Sequence, residues 1–324
     1  MVDSLLRIAT DLRERVWGGT RLGAGARQPI GEAWLVGPAN RIVGGPDDGL
    51  TLAALAARDG ASFLGADAVA STGDRFPLLA KLLDPAGWLS VQVHPDDSTA
   101  RALEDEGAVG KTEAWYVVET KPGAELLLGL AEGVDRASLR AAISAAGAAP
   151  TGGGPLVAPL LRRVVTSEGD TYLVPAGTLH AVGPGMLLFE IQQASDITYR
   201  AEDWGRPITP ERPLHTSQAL ACLELLPPPI PAAAPVAGGS VAVACRYFVV
   251  EEVNLPAGGS VTVEPGGRSF HLVMPLAPVR VAAADDAVDL ARWETLVVAA
   301  STPRYTVTAG GAAVTVLVVR VPQA

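Results

Sequence analysis

The chain has 324 residues, 48% of them hydrophobic, and a formal net charge of −10. That length suits two ordinary domains with a large core. The charge argues against a nucleic-acid partner, because phosphate backbones are bound by clustered Lys and Arg and no basic run is present. No apolar run is long enough to cross a bilayer, and Met1-Val-Asp-Ser-Leu-Leu-Arg7 lacks the basic-then-apolar order of a signal peptide. Cys222 and Cys245 give neither a close-spaced metal pair nor a disulfide framework, which fits a reducing cytoplasm.

In chain order, residues 1–46 are Gly-rich and irregular, with strand signals at Glu14-Arg-Val-Trp17 and Ile30-Gly-Glu-Ala-Trp-Leu-Val36. Thr51 to Arg58 reads as an Ala/Leu-rich helix with Asp47 or Asp48 near its start. Phe76 to Leu83 is a strand whose single charge is Lys81. Trp88 to His94 is the next strand, and Asp97 to Glu106 a short helix with an aspartate to cap it. Ala114 to Glu119 and Glu125 to Leu130 are strands joined by Lys121-Pro-Gly123. Val134 to Gly147 carries Val134, Leu139 and Ile143 at helical spacing. Leu173-Val174 and Met186 to Gln193 are strands around a turn. Leu223 to Gly239 is rich in Pro and Ala and reads as a linker. Beyond it, short strands such as Val241 to Ala244, Tyr247 to Val250, Ser260 to Val263, Leu296 to Val298 and Val314 to Val319 alternate with Gly, Pro and Asp turns, the pattern of a small barrel or sandwich.

Trp88-Leu-Ser-Val-Gln-Val-His-Pro-Asp-Asp97 organises the chemistry. Alternation sends Leu89, Val91 and Val93 one way and Ser90, Gln92 and His94 the other. A polar strand face calls for a wet cavity or a metal. Gly110-Lys-Thr-Glu-Ala-Trp115 and Gly169-Asp-Thr-Tyr-Leu-Val-Pro-Ala-Gly-Thr-Leu-His180 supply what the first stretch lacks. His94, Glu113 and His180 read as ligands of one divalent metal, with Gln92 as a fourth. Two imidazoles and a carboxylate suit Zn²⁺ and leave a position open for substrate oxygens. Glu190 and Gln192 share a strand face and read as groups that orient the ligands. His215 and His271 have no partner motif and read as hydrogen-bonded core residues. Trp17 and Trp34 read as packing residues.

The spacing Gly, five residues, Pro, one, Gly, two, His in Gly169 to His180 resembles the second motif of the cupin superfamily. Gln92 and His94, with Glu113 nineteen residues later, replace the usual first motif. That departure, together with Arg15-Val-Trp-Gly-Gly-Thr-Arg-Leu22, Gly31-Glu-Ala-Trp34, Lys81-Leu-Leu-Asp84 and Glu190-Ile-Gln-Gln-Ala-Ser-Asp-Ile-Thr-Tyr-Arg200, is similar to type I phosphomannose isomerases of the short bacterial form. The resemblance covers most of residues 10–220. It implies a mainly β fold of two cupin-like β-barrels with a few short helices. Residues 1–225 are then a catalytic cupin domain with an N-terminal extension and helical insertions. Residues 226–240 are the linker, and 241–324 a C-terminal cupin-like domain without metal ligands.

By the same resemblance, zinc is held by His94, Glu113 and His180, with Gln92 as the ligand of the longer members. Arg200 is catalytic, Lys111 serves proton transfer or substrate binding, and Ser90 lies near the substrate. The activity implied is the reversible conversion of mannose 6-phosphate and fructose 6-phosphate. Such a reaction moves a proton between two carbons through an enediol(ate), which a metal and a nearby base assist. Lys111, Glu190 and metal-bound hydroxide are candidates for that base, and Lys81 and Arg200 are cations for the phosphate or the enediolate. Two other readings stand beside it: an Fe(II) cupin oxygenase, and a catalytically silent sugar-phosphate-binding protein. The expected partner is a small sugar phosphate, and monomer and homodimer stay open.

Overall fold

Short runs of alternating apolar residues can bury one face only by pairing into sheets, and the chain does this twice. The structure is a computed structural model that describes residues 2–23, 25–148, 154–223, 234–236, 239–284 and 286–323. Among the described residues there are 23 strands and five α-helices, so the fold is mainly β. No described helix is long and apolar enough to cross a membrane. One compact unit is made of Leu12–Ala33 and Leu82–Pro231, the other of Met1–Asp11, Trp34–Lys81 and Ala232–Ala324. They are called here the His94 unit and the His271 unit.

In the His94 unit, Glu113–Thr120 runs antiparallel between Thr171–Val174 and Met186–Gln193. A second sheet has the order Tyr199–Glu202, Val91–Val93, His180–Val182, Glu125–Leu130, Leu161–Val165. The inner faces meet in a cluster holding Trp115, Val117, Tyr172, Val174 and Leu188 from one sheet and Leu126, Leu128 and Val182 from the other. The outer face of the second sheet, with Val91, Val93, Leu127 and Ala181, is covered by Leu139 and Ile143 of the helix Arg136–Ala148 and by Ala219 and Cys222 of the helix Thr216–Cys222. Both faces of its central strand, His180–Val182, are therefore buried.

The His271 unit repeats the arrangement. An eight-stranded sheet includes Val249–Leu255, Val314–Arg320, His271–Pro275, Leu296–Val298 and, from the start of the chain, Leu5–Ile8. A four-stranded sheet contains Ser260–Val263, Tyr305–Ala309, Val279–Ala283 and Asp286–Leu290. Val273, Val281, Val298, Val307, Val316 and Val318 form the core between them. Burial pushes the His271 imidazole down to about 4, and Arg320 adds to the shift. The native chain therefore keeps His271 neutral, while the unfolded chain takes up a proton below its ordinary value of about 6.5. The stability linked to this group is complete above about pH 6.5 and is lost as the pH falls towards 4, by about 3 kcal/mol. Urea unfolding followed from neutral to acidic pH should show that loss, and His271→Phe should flatten it. An equally steep profile in the variant would remove His271 as its source.

Several elements differ from the sequence reading. The helix capped by Thr51, whose hydroxyl accepts from the Ala54 N–H at 3.2 Å, runs on to Leu64. The strand around His94 is only Val91–Val93. Leu89 precedes it and packs with Trp115 and Val182, away from Val91 and Val93, because strict alternation holds only where pairing does. Tyr199–Glu202 is a strand despite its charges, since Arg200 lies opposite Gln92. Residues 1–11 and 34–81, expected with the catalytic segment, group with the C-terminal strands. Most of the expected linker, 226–240, lies outside the described residues, and its described parts, Ala234–Val236 and the start of Gly239–Ala244, are paired strands. Cys222 and Cys245 are both free thiols.

Candidate metal centre

Val91 and Val93 face the helices, so Gln92 between them faces the interior, as does His94 just beyond the strand. His180 opens the next strand directly opposite Gln92, and Arg200 opposes Gln92 from the other side. Arg200, Gln92 and His180 thus form one row across three strands, on one face. The tight turn before His180 needs Gly177, whose φ of 84° suits glycine. From the other sheet Glu113 lies opposite Gln192, and Trp115 opposite Glu190.

The three ligand candidates converge. His94, Glu113 and His180 are buried, and one ligand atom of each lies within 4.8 Å of the others. His180 Nε2 is 3.2 Å from Glu113 Oε1, and His94 Nε2 is 3.5 Å from Oε2. His94 Nδ1 is 2.8 Å from the Ile197 carbonyl and His180 Nδ1 is 2.9 Å from that of Thr178. A carbonyl only accepts, so each Nδ1 carries the ring proton and each Nε2 presents a lone pair. Burial pushes His180 down to about 4, and Lys111 acts in the same direction. Its imidazole is therefore neutral and suited to a metal.

Glu113 is fully buried, and neither of its oxygens accepts a directed hydrogen bond. Lys111 Nζ forms an ion pair with Oε2 at 2.6 Å and donates to His94 Nε2 at 3.1 Å. Gln192 Oε1, buried on the same strand face, also lacks a donor. Glu113 Oε1 and Gln192 Oε1 are thus left over, and buried acceptors of this kind are costly unless a cation or a ligand hydroxyl meets them. Two imidazole lone pairs and a carboxylate of this kind fit a divalent cation such as Zn²⁺. The Gln92 amide nitrogen lies 3.2 Å from His180 Nε2; as a metal ligand this side chain would turn its oxygen inward.

The other expected site residues are placed as follows. Ser90 is buried, with its hydroxyl 3.4 Å from Gln92 Oε1. Glu190 accepts a hydrogen bond from Trp115 Nε1 at 3.0 Å and lies close enough to His180 to act on its charge. Lys81 is buried in its own strand, with its ammonium 4.9 Å from the Trp34 ring centroid. Arg200 is half-buried; burial lowers its pKa, and Arg212 adds to the shift. The nearby Asp203 is held by Arg206 and Arg212. His215, read from sequence as a hydrogen-bonded core residue, is hydrogen-bonded but only half-buried. It accepts from the Arg200 N–H through Nδ1 at 3.2 Å, and its own N–H donates to the Arg200 carbonyl at 2.8 Å. Arg200 Nη1 also donates to the Pro213 carbonyl at 3.2 Å. Lone histidines carry no local signal for such a partnership.

A buried His–Glu–His cluster with a lysine against it, at one end of two packed β-sheets, defines a metal-site protein of the cupin kind. A family model described as the catalytic domain of type I phosphomannose isomerase matches residues 5–111. The mannose-6-phosphate isomerase of Streptococcus mutans is 36% identical over 231 residues, 68% of each chain. Mannose-6-phosphate isomerase ManA of Bacillus subtilis is 34% identical over 273 residues, 76% of this chain and 78% of that one. The crystal structure of a Bacillus subtilis mannose 6-phosphate isomerase superposes with a TM-score of 0.80 at 27% identity, covering 98% of this chain and 99% of that one. The chain belongs to the type I phosphomannose isomerase family.

Proposed function

We propose that the protein interconverts mannose 6-phosphate and fructose 6-phosphate, in the cytoplasm, with one zinc ion as cofactor. The observation that carries this is the convergence of two imidazole Nε2 atoms on a fully buried Glu113 that is ion-paired with Lys111. His94, Glu113 and His180 would hold the metal, with Gln92 as fourth ligand. When bound, the metal supplies Lewis acidity beside the substrate oxygens and so acidifies the neighbouring C–H.

The remaining steps belong to the side chains. Lys111, buried between Glu113 and His94, is placed to hold or relay the proton that moves between C1 and C2 of the open sugar. Arg200 offers a fixed cation, in the same row as Gln92 and His180, for charge that develops on the enediolate. Glu190 and Gln192, opposite Trp115 and Glu113, supply acceptors for substrate hydroxyls, and Ser90 orients Gln92. If Arg200 acts in this way, His215 positions it. His215→Leu is then expected to lower kcat by about 10–100-fold with metal content unchanged. Unchanged kcat would show that the His215 contacts are not used.

The test is metal analysis together with a coupled assay from mannose 6-phosphate. Removing the metal by chelation should abolish turnover, and zinc should restore it. Iron-dependent oxygen uptake without isomerase turnover would instead support the oxygenase reading. A metal-loaded protein with no isomerase turnover would overturn the proposal.

A further inference from the structure

The His271 unit contains a cavity of about 660 Å³, within the size range of small-ligand pockets. On the eight-stranded sheet, Val253, Val273, Val316 and Val318 face the core. Strand alternation puts Glu251, His271 and Arg320 on that same inward face. His271 lies opposite Arg320, and Glu251 opposite Val318. Three polar side chains thus interrupt an otherwise apolar lining at one end, and all three line the cavity.

Their internal pairing leaves specific atoms over. Arg320 directs both Nε and Nη2 to Glu251 Oε1, at 3.2 and 3.0 Å, and so leaves Glu251 Oε2 as an acceptor. His271 is 5% exposed, and its Nδ1 lies 2.9 Å from the Tyr305 hydroxyl. Burial pushes the Tyr305 phenol upward, so it keeps its proton. Among the described residues that hydroxyl has no carbonyl or carboxylate acceptor, so it donates to Nδ1, and the neutral ring carries its own proton on Nε2. The cavity therefore has a fixed imidazole donor, a guanidinium donor and a carboxylate acceptor. Val249, Val263 and Pro265 give it apolar wall. Its charged lining is Asp67, Glu251 and Glu264 against Arg268 and Arg320, one carboxylate in excess.

We propose that this cavity is a second small-molecule site, on a different unit from the metal centre, for an uncharged polyhydroxylated compound of hexose size. Adjacent hydroxyls can give a proton to Glu251 Oε2 and accept from His271 Nε2 and Arg320 at once. A phosphate or carboxylate would meet the excess negative wall without gaining a free cation, because both arginines are already engaged, Arg268 with Asp67 at 3.0 Å.

The chain has four histidines, so ¹⁵N-histidine spectra of the intact, metal-loaded protein can follow His271 directly. Titration with D-mannose or D-fructose should move the His271 ring signal saturably, with a Kd of about 1–10 mM. Inorganic phosphate should not move it. Val263→Trp, which fills the cavity from a half-buried strand position, should abolish the shift and leave isomerase kcat and KM unchanged. Glu251→Gln should weaken binding about tenfold. An immobile His271 signal with both hexoses, a shift reproduced by phosphate, or full binding in folded Val263→Trp would each overturn the proposal. The readout does not use turnover, so failure here and failure of the isomerase reading are separate results.

Discussion

Glu113→Gln should empty the centre of metal and lower isomerase turnover by roughly 10³-fold or more. The carboxylate is the only formal negative charge among the three converging ligands. The amide keeps the volume, so the surrounding sheet loses no packing. The change does strand Lys111, whose ammonium lies 2.6 Å from Glu113 Oε2 and is 3% exposed. Removing one partner of such a buried pair costs about 3–5 kcal/mol. The variant should therefore melt earlier as well as lose metal, and Glu113→Asp should recover part of both. Elemental analysis, a melting curve and the coupled assay check this together. A folded Glu113→Gln protein with a full metal complement and normal turnover would sink the assignment of the centre.

Lys111→Met should produce the opposite division. Turnover should fall by about 10²–10⁴-fold, the loss expected when a proton-transfer group is removed, while metal is retained. Lys111 holds its positive charge against Glu113 Oε2 and His94 Nε2, the donors that a divalent cation needs. Deleting that competitor leaves both free for the metal. Methionine is apolar and unbranched, so it suits the buried position. Competition against a zinc-sensitive dye measures affinity, and the coupled assay measures kcat. Should Lys111→Met lose its metal along with its turnover, Lys111 would be a support of the centre and not a participant in the chemistry.

Both predictions rest on residues legible from sequence, and the reason is local. Alternation over a few residues is enough to place Gln92 and His94 on the face opposite Val91 and Val93, and the structure keeps that division. Ordered turn residues place His180 at the start of a strand. The convergence of His94, Glu113 and His180 was legible from their motifs alone. Arg200 was legible as a residue but not as an environment. Its neighbours Pro213 and His215 lie more than a dozen residues on, and two of the three hydrogen bonds that hold it use backbone carbonyls. Carbonyls carry no side-chain signature. The same applies to Ile197 and Thr178, whose carbonyls set the tautomers of His94 and His180.

The amino-acid order by itself determined the mainly β character, the three candidate ligand residues and the two unpaired cysteines, because these follow from residue type and short spacing. Only the tertiary structure decided that Leu5–Ile8 pairs with Leu296–Val298, that residues 34–81 group with the C-terminal strands, and that Leu89 leaves the face of Val91. It also decided that Glu251, His271 and Arg320 meet at one end of an apolar sheet face. Each of these depends on register between strands far apart in the chain. Register is set by which buried surfaces fit together, and periodicity within one strand does not encode it.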